Sequence, residues 1–215
     1  MVEKWDHLIW DWNGTLLADT GVCVSVLNEI MAEYGLPPIT DDHYRATFNF
    51  PVVQFYRELG FPTEPGRFEK TSHQFIARYN ERSVECPLHE GSEELLNHLF
   101  ERGVSQSVLS AALQSSLEES IRVYRLEHCF EHLVGATDIF AHGKEERGVS
   151  WIESSGVDPT RALLIGDTLH DHEVANAMGV SCLLVAHGHH TAERLRESGC
   201  PVVEGFEELE AWLLS

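Results

Sequence analysis

Lysine is scarce in this chain. Of 215 residues only Lys4, Lys70 and Lys144 are lysines, and 15 basic residues face 35 acidic ones for a formal net charge of −20. Such a surface repels nucleic acid and anionic membranes, which excludes partners of both kinds. It also repels a phosphorylated substrate at long range, so a phosphate site here must be inverted locally by a metal ion and a few cations. Cysteine is sparse too: Cys23, Cys86, Cys129, Cys182 and Cys200 are scattered, odd in number and without a CxxC pair. That excludes a disulfide framework or a CxxC zinc site and favours reduced thiols in the cytoplasm. No apolar run approaches membrane-spanning length, and the N-terminus has no signal-peptide pattern.

What is present reads as alternating strands and helices. The spacing predicts a first strand over 5–10 and a helix from Thr20 to Tyr34, stopped by Gly35. Further helices are expected at 41–48 under a Thr40 cap, at 52–59 and at 66–82. No strand is expected between 19 and 85, so a helical insert follows the first strand. The chain then alternates: a helix capped by Ser92 and running to Arg102, a strand at 104–110, a helix at 114–125 and a strand at 132–136. A helix at 145–155, a strand at 161–166, a helix at 171–178 and a strand at 180–185 follow. A helix at 191–198, a strand at 201–203 and a helix at 206–214 finish it. This order implies an α/β fold with a parallel sheet covered on both faces.

Three apolar runs end in reactive groups. Leu8-Ile9-Trp10 ends in Asp11, followed by Trp12-Asn13-Gly14-Thr15; Val108-Leu109 ends in Ser110-Ala111; and Leu163-Leu164-Ile165-Gly166 ends in Asp167, with Asp171 four residues on. Buried strands deliver such groups to the carboxyl edge of a sheet, where open α/β proteins bind ligands. Lys144 stands alone between the second and third runs, in an expected loop.

In that order, acid, hydroxyl, lysine and acid pair resemble the four motifs of the haloacid dehalogenase (HAD) superfamily of phosphatases and related hydrolases. The resemblance covers nearly the whole chain. It implies a Rossmann-like three-layer core over 1–18 and 86–215, with residues 19–85 as a small helical cap. It further implies that Asp11 is a nucleophile forming an aspartyl-phosphate, which divides one hard displacement into two easier ones. Mg²⁺ would be held by Asp11, the Asn13 main-chain carbonyl and Asp167, with Asp171 helping through water or holding the ligand shell. Ser110 and Lys144 would address the charge on the transferring phosphoryl group, beside Gly14, Thr15 and Ala111. The expected reaction is hydrolysis of a small phosphorylated metabolite, as in phosphoglycolate phosphatase and its relatives.

One residue departs from the family pattern. A second aspartate usually stands two places after the nucleophile as general acid and base; here that place is Asn13. An amide hydrogen-bonds but does not exchange a proton at neutral pH. Three readings follow: a slow or choosy phosphatase that uses good leaving groups or another proton donor, a binding or regulatory protein on the same fold, and another branch of the family. Dehalogenases would not keep Asp167 and Asp171, and phosphonoacetaldehyde hydrolases need a cap lysine where Lys70 does not fall. His170 and His189, the latter in the loop His187-Gly188-His189-His190, are the candidate replacement donors. Arg45, in the helical insert, is a candidate clamp for the far end of an anionic substrate, with a surface arginine as the plainer reading. Trp10 is expected in the core, and Trp12 walls the site or lines the cap hinge.

Overall fold

The computed structural model describes residues 4–138 and 143–214. Six parallel strands form one sheet: β1 (His7–Trp10), β2 (Ser105–Leu113), β3 (His132–Ala136), β4 (Ala162–Gly166), β5 (Ser181–Val185) and β6 (Val202–Val203), in the order β3-β2-β1-β4-β5-β6. All four residues of β1 and all five of β4 are buried, as a central parallel strand covered on both faces requires. Two apolar clusters account for that cover. One packs Trp10, Leu96, Leu117 and Leu209 against one face, and the other packs Ile9, Ile152, Val174 and Met178 against the other.

Between β1 and β2 the chain is all helical: α1 (Thr20–Glu33), α2 (Asp41–Thr47), α3 (Val52–Glu58) and α4 (Arg67–Ser83). These helices gather around an apolar cluster of their own, built from Leu27, Ile30, Tyr44, Phe55, Tyr56 and Phe68. The Thr40 cap forms as its position suggests, its hydroxyl accepting from the His43 N–H at 3.1 Å. The remaining helices are α5 (Ser92–Glu101), α6 (Gln114–Val123), α7 (Lys144–Ser155), α8 (Leu169–Met178), α9 (Ala192–Arg196) and α10 (Phe206–Leu214).

Three local readings are corrected. Ser92 is the first residue of α5 rather than its cap; left-handed Gly91 holds that place, and the Ser92 hydroxyl donates to the His89 carbonyl at 2.7 Å. Lys144 opens α7 rather than lying in a loop, and it is buried. β2 runs three residues past Ser110, with a register shift against β3 between Leu109 and Leu113. The shift coincides with the Ser110 hydroxyl accepting from the Ala112 N–H at 3.0 Å, a local bond that competes with the sheet ladder.

Register fixes the site. Trp10 pairs with Val108 on one side and Ile165 on the other. The chain therefore leaves β1, β2 and β4 at one sheet edge, delivering Asp11, Ser110 and Asp167 there together. The Asp11 N–H continues the ladder one step, donating to the Ile165 carbonyl at 2.9 Å.

Candidate active site

Four groups expected at this edge meet there. The Lys144 ammonium lies between two carboxylates, 2.5 Å from Asp11 Oδ1 and 2.6 Å from Asp171 Oδ1. Asp11, Asp167 and Asp171 bring carboxylate oxygens within 4.8 Å of one another, and all three are buried. Asp171 uses its other oxygen to cap α8, accepting from the Thr168 N–H at 3.0 Å and hydroxyl at 2.7 Å. One acid thus aims the lysine and anchors a helix start at once. Asp167 accepts from the Thr15 hydroxyl at 2.8 Å and from the His189 N–H.

The electrostatics follow from burial. Desolvation pushes Asp11 up to about 8, with Lys144 opposing and the two neighbouring acids adding. Burial likewise takes Asp167 up to about 6, with His189 opposing. For Asp171 burial is outweighed by Lys144, which holds it below the usual carboxylate range. Burial would also lower Lys144, but Asp11 and Asp171 outweigh it and hold it above an ordinary lysine. With all three carboxylates ionised, one ammonium would leave an excess of two negative charges, the charge of one divalent cation, and the upward shifts of Asp11 and Asp167 are what such an unbalanced cluster produces. The donors are oxygens alone, which suits a hard ion. Two glycines let the backbone approach Asp167: a Cβ on Gly188 would lie 2.0 Å from its Oδ2, and one on Gly14 2.3 Å away.

Asn13 is held in a network that reaches into the helical layer. Its amide donates to Asp19 Oδ2 at 2.9 Å and to the Tyr79 hydroxyl at 2.7 Å, and its Oδ1 accepts from Ser110 at 3.4 Å. Tyr79 donates to Asp19 at 2.5 Å, and the Gly14 N–H donates to the other Asp19 oxygen at 2.9 Å. His189 Nε2 lies 3.4 Å from Asp19, with Nδ1 3.1 Å from the Tyr44 hydroxyl. Burial works against its charge, but Asp19 and Asp167 outweigh it and take His189 up to about 9. Both nitrogens of His189 are therefore committed. The other candidate donor, His170, turns Nδ1 to Glu173 at 3.0 Å and stacks on Phe50 with ring centroids 4.6 Å apart. Left-handed Gly14, with its N–H held, fixes the Asn13-Gly14 turn.

Asp11, Asn13, Ala111, Lys144 and Asp171 line a cavity of about 210 Å³ that extends between the helical layer and the sheet edge. Gly14, Thr15, Ser110 and Asp167 pack behind that wall; the Gly14 N–H and the Thr15 hydroxyl are given to acids. Arg45 lies elsewhere. Its guanidinium donates to the Ala186 and His190 carbonyls at 2.7 and 3.2 Å, which ties α2 to the sheet side, and it is absent from the cavity wall. Arg194 makes the reciprocal contact, donating to the Arg45 and Phe48 carbonyls. Trp10 is core, and Trp12 is both buried and on the cavity wall.

Sequence reasoning missed Asp19, Tyr79 and Tyr44. Asp19 precedes a helix and is the residue type of an ordinary cap, yet its side chain makes no cap bond. Tyr79 comes within reach only because α4 packs on α1, a contact that no local pattern encodes.

The family model for haloacid dehalogenase-like hydrolase matches residues 8–185. The probable phosphatase IndB of Dickeya dadantii is 26% identical over 94% of this chain and 90% of its own length. A phosphoglycolate phosphatase of Caulobacter vibrioides is 26% identical over 91% of this chain and 85% of its own length. Among solved structures, a haloacid dehalogenase-like hydrolase from Bacteroides fragilis superposes with a TM-score of 0.83 at 20% identity, over 96% of this chain and all of that one. With the model spanning most of the chain and the fold agreeing, this chain belongs to the haloacid dehalogenase-like hydrolase family.

Proposed function

We propose that this HAD-like phosphatase hydrolyses a small phosphorylated metabolite through an aspartyl-phosphate on Asp11, with Mg²⁺ as cofactor. The observation that carries the reading is the meeting of Asp11, Asp167 and Lys144 at one buried sheet edge. Asp11, the Asn13 carbonyl and Asp167 would hold the cation, which supplies charge neutralisation between a carboxylate nucleophile and an anionic phosphoryl group. Asp171, between Lys144 and the start of α8, holds Lys144 toward Asp11 and supports the ligand shell. Lys144 orients Asp11 Oδ1 and offers its remaining ammonium hydrogen to the phosphoryl oxygens. Ser110 steadies Asn13, and Thr15 steadies Asp167. Residues 19–85 act as the cap, closing the site against water and carrying specificity. The free cysteines suit a reducing compartment such as the cytoplasm, and among the described residues no helix is long and apolar enough to cross a membrane.

The test is release of p-nitrophenol from p-nitrophenyl phosphate with Mg²⁺ and with EDTA. Activity is expected only with the metal and is expected to vanish in Asp11→Asn, together with the acid-stable phosphoprotein seen by intact mass. A metal-independent rate, or an active Asp11→Asn, overturns the reading. No turnover together with tight binding of a phosphate ester would mark a phospho-ligand-binding protein instead.

A second variant tests the metal cradle without touching a proposed ligand. Gly188→Ala places a methyl on Asp167 Oδ2 and must displace it. Mg²⁺ affinity, read from the activity titration, is expected to fall by about 10–100-fold. An unchanged titration would mean that Asp167 does not hold the ion.

A further inference from the structure

Resting on that reading, we infer that the substrate is an aryl phosphate: a monoester whose leaving group is a flat, uncharged aromatic ring carrying a phenolic oxygen. Two independent features point to the same molecule.

The first is the cavity. Beyond the carboxylates much of its wall is aromatic and aliphatic, with Phe48, Phe55, Phe68, Phe75 and Ile76 from the helical layer and Trp12 from the sheet edge, and its other polar groups include serines, Asn80, Thr168, His170 and His189. Neighbouring rings there meet at angles that suit further aromatic contact: Phe48 with Phe55 edge-on at 5.3 Å, and Phe75 with Tyr79 stacked at 5.8 Å. Among the described lining residues there is no arginine, and Lys144, already between two acids, is the one lysine. The arginine available to the helical layer at this end, Arg45, is spent on backbone carbonyls. The cations on the wall are already engaged, Lys144 between Asp11 and Asp171 and His189 between Asp19 and Tyr44, so a leaving group with its own carboxylate or phosphate would lose its water with no free cation in exchange, at a large desolvation cost. An apolar cavity of about 150 Å³ takes a benzene ring, so about 210 Å³ takes a ring with a substituent.

The second feature is chemical. Asn13 cannot protonate a leaving oxygen, and its amide is fixed to Asp19 and Tyr79. An alkoxide leaves poorly without a proton, whereas a phenolate leaves without one. In the first step a bond forms between an Asp11 carboxylate oxygen and phosphorus, the phosphorus–aryl oxygen bond breaks, and the electron pair departs on the phenolate. In the second, water supplies the oxygen that replaces Asp11 on phosphorus. One of its protons stays on the phosphate, the other passes to solvent, and the carboxylate is regenerated. The shape of the chamber and the missing acid thus select the same ester from opposite ends.

The experiment is a substrate panel on the unaltered chain with Mg²⁺: phenyl phosphate, benzyl phosphate, phosphoglycolate, ribose 5-phosphate and acetyl phosphate. Phenyl phosphate is expected to exceed phosphoglycolate and ribose 5-phosphate in kcat/KM by roughly 10²-fold or more. Benzyl phosphate has the same ring but leaves as an alkoxide. It is expected to compete with phenyl phosphate for binding yet to turn over about 10²–10⁴-fold more slowly. In Asn13→Asp the gap between phenyl and benzyl should close by a comparable factor. Should phosphoglycolate or ribose 5-phosphate match phenyl phosphate, the cavity argument falls. Should benzyl keep pace with phenyl in the unaltered chain, another group donates the proton and the leaving-group argument falls. Loss of every activity, including that on acetyl phosphate, which fills no cavity and needs no acid, would instead remove the hydrolase mechanism beneath both.

Discussion

Asn13→Asp is expected to raise steady-state turnover of alkyl phosphates by about 10²–10⁴-fold, the usual worth of a positioned acid–base. The structure says why the introduced carboxyl would titrate usefully. Asn13 Nδ2 now lies 2.9 Å from Asp19 Oδ2. A carboxylate in its place would face that charge directly, and a like charge at this distance drives a carboxyl toward its protonated form. The protonated form can donate to Asp19 as the amide does now, and can pass its proton to a leaving oxygen. Two amide donors are lost in exchange for one hydroxyl, so stability should fall by about 1–3 kcal/mol. The check is kcat on benzyl phosphate beside a thermal melt. An unchanged or lower kcat in a folded variant would mean that the proton already comes from elsewhere.

The same variant bears on the second chemical step. Asn13 itself takes no proton from the attacking water, so the phosphoenzyme should outlast the first step. Phenyl phosphate is therefore expected to give a burst of phenol of about one per chain, followed by a slow phase. Asn13→Asp should shrink the burst and speed the slow phase. A linear trace from the unaltered chain would place the slow step at attack on the ester.

Much of this site was legible in the chain. Asp11 and Asp167 were readable because each ends a fully apolar run, and a fully apolar run is what a central parallel strand must be. The helical layer was readable because no strand pattern interrupts 19–85. What was hidden depends on packing. Arg45 reads as a clamp beside aromatics, but its fate is decided by two carbonyls 141 and 145 residues away. Asp19 and Tyr79 are ordinary residues in sequence and become the holders of Asn13 only because α1 and α4 meet. The same-sheet-edge loop 187–190 gave a sign through its histidines, but its part in the site is played by the His189 N–H and by the space above Gly188, neither of which a residue type reveals.

Lys144→Met is expected to lower kcat/KM by about 10³–10⁵-fold, on the scale found where the cation facing a transferring phosphoryl group is removed. The loss has two sources in this geometry. Lys144 is 3% exposed and touches both Asp11 and Asp171. Methionine keeps the volume and removes the charge, so the phosphoryl oxygens lose their donor while two acids lose their shared partner. Breaking a buried pair from one side costs about 3–5 kcal/mol, because the remaining charge has no water to replace the partner. Mg²⁺ bound beside Asp11, as proposed, would offset part of that repulsion, so the melting temperature of Lys144→Met should depend on Mg²⁺ more steeply than that of the unaltered chain. Lys144→Arg should not restore activity, since a planar fork does not fit the point between two carboxylates that an ammonium fills. If Lys144→Met melted as the unaltered chain does and lost activity alone, the pair with Asp171 would have no structural weight, and the lysine would serve the phosphoryl group only. If it lost stability and kept its activity, the charge that the reaction needs would have to come from the metal ion by itself.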